Sequence, residues 1–466
     1  MDTIKFGTDG WRAIIADTFT VQNVKRVAWA TAKWLKNESL PLHVVVGYDC
    51  RFAGQLFAEE TACIMASEGI RVSLSPSFVS TPMISLAAHQ LGAGAGIILT
   101  ASHNPPAYNG FKIKAHYGGP ASPAEIDKIE SWIPDSEVTA TGTISQFIES
   151  QMIAYVDFEK IYLDHCAKQF DMNLLQQNAH QLAYDAMFGA GQNAVKTLLP
   201  AATFLHAEYN PSFLGRAPEP IAKNLPELSE IIAQTPQLTC GLATDGDADR
   251  IGFFDQDGQF VDSHHLILLL MEYLSTFKGY TGKVVKSFSV SDKVQALADH
   301  LGLETITTKI GFKYICEHMV QDDVLIGAEE SGGIAIKGHI PERDGVWMGL
   351  VIMEYCAKTG KTVKELILDI YDKIGSFAVE RYDLHLDPAQ KDRIVGHCQN
   401  GSYHSFGSYT VSSIEDTDGY KFRLNTGSWV MIRPSGTEPV LRVYSEAPNS
   451  EECFRILDAT RDAILA

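Results

Sequence analysis

Short apolar runs recur along this chain, each stopping abruptly at small polar or glycine-rich residues. Runs at 43–47, 71–74 and 96–99 read as buried strands, and the segments between them place apolar residues at helical spacing. Ahead of the first run, Val21, Val24, Ala28, Thr31 and Leu35 share one face behind Thr20, a suitable cap. Helices at 57–67 and from Pro82, and a short return strand at 109–112, complete a first unit. A second unit follows a Thr/Ser/Gly-rich linker at 138–143. It has a helix at 153–162, a strand at 181–186, a helix at 194–199, a strand at 204–208, a helix from Leu225 and a strand at 240–244. The third has helices from Leu266, Asp292 and Phe312, strands at 283–287, 304–307 and 324–327, and a closing helix at 346–356.

Strands alternating with helices imply crossover connections and largely parallel sheets. The last stretch differs: 379–384, 420–424 and 440–444 alternate like half-buried strands, with helices at 387–399 and 451–464. The expected fold is α/β: three similar mixed α/β domains with largely parallel sheets (1–145, 146–258, 259–374) and a smaller α+β domain (375–466). The three units share an order of elements more than a sequence, which suggests a topological repeat.

A chain of 466 residues is too long for one core, so several domains are expected on size alone. Its net charge of −19 argues against nucleic acid and against an anionic membrane as partners. A small anion feels only its cleft, so arginines and lysines gathered in one place are informative here. The eight cysteines are scattered without a CxxC pair and read as small hydrophobes. No apolar run approaches a membrane span, and the first residues lack a signal-peptide stretch, so a soluble cytoplasmic protein is expected.

Four stretches carry candidate chemistry. Thr100-Ala101-Ser102-His103-Asn104-Pro105-Pro106 empties from a buried strand into a loop stiffened by two prolines. That sets Ser102 at a strand's carboxyl end, where open α/β sheets hold their ligands. Asp245, Asp247 and Asp249 alternate just past another strand, and three carboxylates so close call for a divalent cation. Oxygen-only donors favour magnesium or calcium; an EF-hand is excluded because Arg250 stands where its glycine belongs and Gln256 where its glutamate belongs. Glu329, Glu330 and Ser331 follow a third strand and suit hydrogen bonding to a polyol. Arg433-Pro434-Ser435-Gly436-Thr437, before a strand carrying Arg442, offers donors and an approachable backbone for a phosphate.

With the opening Phe6-Gly7-Thr8-Asp9-Gly10-Trp11-Arg12, these motifs in this order resemble the α-D-phosphohexomutase family, of phosphoglucomutase/phosphomannomutase type, over essentially the full length. The resemblance implies four domains around a central cleft, each supplying one loop. It implies a phosphoryl group on Ser102 and Mg²⁺ held by Asp245, Asp247, Asp249 and a phosphoserine oxygen. His103, Lys112, Arg12 and Arg250 match family positions around that serine. Thr308, Lys309, Gly311, Glu329 and Ser331 match those reading the sugar, and Arg433, Ser435, Gly436, Thr437 and Arg442 those holding the non-reacting phosphate.

The implied reaction interconverts hexose 1-phosphate and hexose 6-phosphate through a hexose 1,6-bisphosphate that turns over in the cleft, with glucose 1,6-bisphosphate as activator. Glucose is the expected sugar and mannose a further candidate; phosphoglucosamine mutase and phosphoserine-type sugar phosphatase are the alternatives. A monomer or dimer acting on a small phosphosugar is expected. Two departures leave the general base open. Some relatives carry histidine where this chain has Gly333, and glucose-type relatives carry lysine where it has Arg343, a side chain that hardly deprotonates. His339 is the alternative candidate, because histidine titrates near working pH.

Overall fold

The computed structural model describes residues 2–7, 9–434 and 440–466. Among them the chain forms four sheets in succession. The first three share a four-strand arrangement. In each, a central strand has a parallel neighbour on one side, followed by a second parallel strand, and an antiparallel strand on the other.

These central strands are Ala95–Leu99, Cys240–Thr244 and Val324–Ala328, every residue of them buried. Their parallel neighbours are His43–Tyr48, Leu182–Asp185 and Lys283–Ser287; their antiparallel neighbours are Tyr108–Ala115, Ile251–Phe254 and Ile334–Ile336. The repeat suggested by element order is therefore a repeat of topology. Continuous burial explains why these strands read as unbroken apolar runs, since a strand covered on both faces has no polar side to alternate.

The predicted helix at 153–162 is instead a strand, Ile153–Tyr155, followed by helix Phe158–Gln169. Ile153 to Tyr155 pair with Val72 to Leu74, so the chain stays in the first sheet until Tyr155. Asp157 then caps the helix by accepting from the Lys160 N–H, which fixes its start beyond the predicted one.

The last sheet is antiparallel throughout, its strands ordered Ala378–His385, Val440–Ala447, Trp429–Pro434, Tyr420–Leu424, Tyr409–Glu415 and Ser405–Phe406. Half of these strands were not predicted from periodicity, because their burial is irregular or, from Trp429 to Ile432, continuous. One apolar core runs through the first three domains, from Val45 and Met83 to Leu242, Leu350 and Phe377. The fourth has its own, built on Ile394, Phe422, Leu441 and Ile456. The two are not isolated: Trp429, Met431 and Tyr444 of the last sheet pack on Phe288 of the third domain.

Candidate active site

Each of the three equivalent central strands ends in one of the predicted loops, so the repeat delivers Ser102, the aspartate cluster and Glu329 from corresponding places. Ser102 has φ of +52°, an uncommon backbone state for a side-chain-bearing residue. Its surroundings hold it there. The Ser102 N–H donates to Thr100 Oγ1 (2.9 Å), and the Thr100 hydroxyl donates to Asp49. Arg51, fully buried beside Asp49, spreads its guanidinium over four backbone carbonyls of this loop. They are those of Ser102 (2.6 Å), Asn104 (2.6 Å), Pro105 (2.9 Å) and Tyr108 (3.0 Å). Burial pushes the Asp49 carboxyl up to about 6, against the pull of Arg51.

Ser102 Oγ donates to Asp245 Oδ2 at 2.7 Å. The two loops come this close because residue 246 is glycine: a Cβ there would stand 2.5 Å from the Ser102 carbonyl oxygen. Asp245, Asp247 and Asp249 are all buried, and one oxygen from each lies within 4.8 Å of the others. Lys112 Nζ contacts Asp247 Oδ2 (2.7 Å), Asp249 Oδ2 (3.0 Å) and Asp9 Oδ2 (2.8 Å). Thr81 donates to Asp247 Oδ2 as well (2.5 Å).

The other oxygens, Oδ1 of Asp247 and of Asp249, are buried with no hydrogen-bond partner among the described residues. Burial and the charges of Asp247 and Asp249 hold the Asp245 carboxyl well above its ordinary range. Burial has the same tendency at Asp247, but Lys112 outweighs it and lowers that carboxyl. Desolvation opposes the Lys112 charge, yet its carboxylate neighbours keep it protonated beyond its usual range. Mutually repelling carboxylates with unfilled oxygen lone pairs fit a hard divalent cation.

His103 Nδ1 lies 3.2 Å from Ser102 Oγ. Burial, with Arg250 and Arg12 nearby, holds its imidazole well below the ordinary value and so neutral. Arg12 donates to Asn104 Oδ1 (2.7 Å), and Arg250 gives its backbone N–H to Asp245 Oδ1 (3.0 Å). On the third domain Glu329 is buried and accepts from the Gly311 N–H (2.9 Å); burial pushes its carboxyl up to about 7. Thr308 closes the edge strand Thr305–Thr308 of this domain's sheet, while Lys309 and Ser331 are exposed. Arg433 and Arg442 pair across adjacent strands of the fourth domain. Ser435, Gly436 and Thr437 lie outside the described residues.

His339 is not at this site. Its side chain is enclosed, stacked on Trp347 (3.9 Å between centroids), 3.0 Å from Asp344 Oδ2 and 3.1 Å from His165. Asp344 in turn caps helix Gly345–Thr359 through the Trp347 N–H and accepts from the Tyr162 hydroxyl. The histidine belongs to that interior joint, which corrects the reading of it as a base.

Arg343, considered in the sequence only as a poor base, is in the site: it donates to Asp249 Oδ2 (2.6 Å) and to Asp9. Asp9, Arg51 and Thr81 went unnoticed as candidate residues, and Thr100 was read only as part of the Ser102 stretch. Arg51 and Thr100 each follow a strand's carboxyl end, which was the available signal; Asp9 lay within the recognised opening.

The four domains match, in order, the phosphoglucomutase/phosphomannomutase alpha/beta/alpha domains I (residues 3–139), II (160–258) and III (262–374) and the C-terminal domain (387–463). The chain belongs to this family of hexose phosphate mutases, isomerases that move a phosphoryl group within a sugar phosphate. A Thermus thermophilus protein named as a phosphomannomutase is 32% identical, with both chains covered in full and a TM-score of 0.88. A phosphoglucomutase/phosphomannomutase of Thermococcus kodakarensis is 29% identical over 97% of this chain and 96% of its own. A phosphoglucosamine mutase of Methanocaldococcus jannaschii is likewise 29% identical, over the same shares.

Proposed function

We propose that the protein interconverts hexose 1-phosphate and hexose 6-phosphate, with glucose preferred and mannose accepted, through a phosphoserine at Ser102 and a hexose 1,6-bisphosphate. One observation carries this reading: the Ser102 hydroxyl lies 2.7 Å from a carboxylate of the aspartate cluster. Asp245, Asp247, Asp249 and an oxygen of the phosphorylated Ser102 would hold Mg²⁺. That ion, when bound, supplies charge for a phosphoryl group in transit.

The chain's own residues do the rest by position and charge, as phosphoryl transfer requires. Arg51 fixes the loop so that Ser102 Oγ points at the acidic cluster. Lys112 and Arg343 bring cations onto the oxygens of Asp247 and Asp249, so carboxylates and phosphoryl oxygens can crowd together. His103, neutral, sits beside Ser102 Oγ, where it can exchange a hydrogen bond as the oxygen gains and loses its phosphoryl group. Glu329, Ser331 and the 308–311 loop grip sugar hydroxyls, and Arg433, Ser435, Gly436, Thr437 and Arg442 hold the far phosphate. After the first transfer the bisphosphate turns over and the other phosphate faces Ser102. Neither His339 nor Arg343 serves as proton acceptor, the one enclosed and the other held charged by Asp249 and Asp9.

Relatives named phosphoglucosamine mutase are as similar as those named for glucose and mannose, so glucosamine phosphate is the second reading. We place the protein in the cytoplasm as a monomer or dimer; among the described residues no helix is long and apolar enough to cross a membrane. The deciding experiment is a coupled assay across glucose, mannose, glucosamine and ribose 1-phosphates, with trace glucose 1,6-bisphosphate. Fastest turnover of glucose 1-phosphate supports the proposal. Preference for glucosamine phosphate replaces the sugar, and phosphate release matching isomer formation replaces the reaction with hydrolysis.

A further inference from the structure

Asp418 lies between strands Tyr409–Glu415 and Tyr420–Leu424 of the fourth domain, and its carboxylate joins two domains. Arg433, on the neighbouring strand, donates Nε to Oδ1 (3.1 Å) and Nη2 to Oδ2 (3.4 Å). The backbone N–H of Ile310, in the third domain, donates to Oδ2 at 2.8 Å. The next amide, that of Gly311, donates to Glu329 Oε1 at 2.9 Å. Two consecutive N–H groups of the 308–311 loop are therefore each held by a carboxylate, one from its own domain and one from the next.

The turn carrying Asp418 is itself pinned. Gly419 has φ of +91°, and a Cβ there would stand 2.9 Å from the Ile432 carbonyl oxygen and 3.0 Å from Arg433 Cβ. Tyr420 pairs with Ile432 immediately beyond. Asp418 is thus set against Arg433 by the sheet, and it reaches the third domain from that fixed base.

A carboxylate beside a phosphate-binding arginine removes part of the attraction for an anion. What it supplies is orientation, because a guanidinium held along its Nε–Nη2 edge is fixed in plane and direction. It also sets the distance between that guanidinium and the amides next to Glu329.

We propose that Asp418 is a positioning residue that fastens Arg433 to the 308–311 loop, fixing the spacing between the phosphate grip and the hydroxyl grip and holding the last domain closed while the bisphosphate turns. This rests on the phosphohexomutase reading above.

The test uses the full-length protein with glucose 1-phosphate, Mg²⁺ and trace glucose 1,6-bisphosphate, following KM, kcat and the bisphosphate released per turnover. Asp418→Ala removes the acceptor for both partners. KM should rise roughly ten- to hundredfold, the range for losing a hydrogen bond to a charged group. Bisphosphate release per turnover should rise with it, while kcat changes by less than about threefold, as when binding common to ground and transition states is lost. Asp418→Asn keeps an oxygen for Ile310 and should fall between.

A residue serving only to stabilise the fold would lower the active fraction and leave KM and bisphosphate release alone. Arg433→Lys combined with Asp418→Ala should cost less than the two singly. Unchanged KM and release in Asp418→Ala, or full additivity with Arg433→Lys, overturns the proposal. If Asp418→Ala does not fold, Asp418→Asn with Arg433→Lys makes the same comparison. A wild-type protein inactive on every hexose phosphate overturns the functional reading and this proposal with it. Wild-type turnover with an indifferent Asp418→Ala overturns this proposal alone.

Discussion

A Cβ on Gly333 would stand 2.6 Å from Cδ of Arg343, so a side chain at the first position excludes the arginine from its place at the second. The two departures from relatives that carry histidine or lysine there are one spatial fact. The room left by the glycine is filled by the arginine's stem, and the guanidinium reaches Asp249 and Asp9.

Gly333→His should therefore displace Arg343. Overpacking of this kind costs about 1–3 kcal/mol of stability. Loss of the charged contact to Asp249 should lower kcat/KM by roughly ten- to hundredfold. Adding Arg343→Ser should relieve the overlap but leave Asp249 and Asp9 without this cation, so neither the melting temperature nor the rate returns to the parent's; melts and coupled assays on both variants check this.

Ser102→Ala should abolish isomerase turnover, leave the melting temperature within a few degrees of the parent, and retain phosphosugar binding by calorimetry. Residual turnover would remove Ser102 as the phosphoryl carrier.

Arg51→Lys keeps a buried positive charge but cannot span four carbonyls. Ser102 would then be free to leave its left-handed backbone state, whose strain is about 1–3 kcal/mol. The expected result is a fall in kcat with KM little changed, together with faster proteolysis of the 100–108 loop. Equal kcat in wild type and variant would show that the clamp is dispensable.

The acidic cluster gives a metal prediction independent of turnover. With Mg²⁺ at a hundred times its dissociation constant, the folded state should gain about 2.7 kcal/mol. Asp247→Asn should lose most of that gain in thermal melts, and chelation should abolish activity in the parent. A melting curve indifferent to Mg²⁺ would argue against the site.

Glu329 supplies a pH prediction. Its folded-state value, raised by burial to about 7 from an ordinary 4.5, means that the native protein holds this proton more tightly than the unfolded chain. Its contribution to stability is full below about pH 4.5 and is lost as pH rises through 7, a change of about 3 kcal/mol. Glu329→Gln should flatten that segment of the stability profile, measured by urea unfolding in chelator at pH 5 and pH 8. An unaltered profile would mean that Glu329 titrates normally.

Sequence reading found what was contiguous. Ser102, the three aspartates and the glutamate loop each sit in a short stretch after an apolar run, and the fold class followed from those runs. What escaped were pairings set by folding alone. Arg343 meets Asp9 across 334 positions, and Arg51 meets the Ser102 loop about fifty residues on; neither pairing has a local pattern. His339 misled for the opposite reason: its candidacy rested on the chemistry of histidine alone, while the aromatic wall that encloses it comes from Trp347 and His165. The helix predicted at 153–162 failed because nothing local announces that Ile153–Tyr155 completes a sheet begun at Trp11.

The serine, the aspartates and Glu329 hang from matching positions in three matching sheets, yet their loops touch: Ser102 reaches Asp245, and Arg343 of the third unit reaches Asp249. A change at Lys309 or Ser331, exposed in the third unit, leaves those contacts untouched, whereas a side chain at Gly333 moves Arg343. The natural place to seek an altered sugar preference is therefore residues 308–331, short of the glycine that seats Arg343.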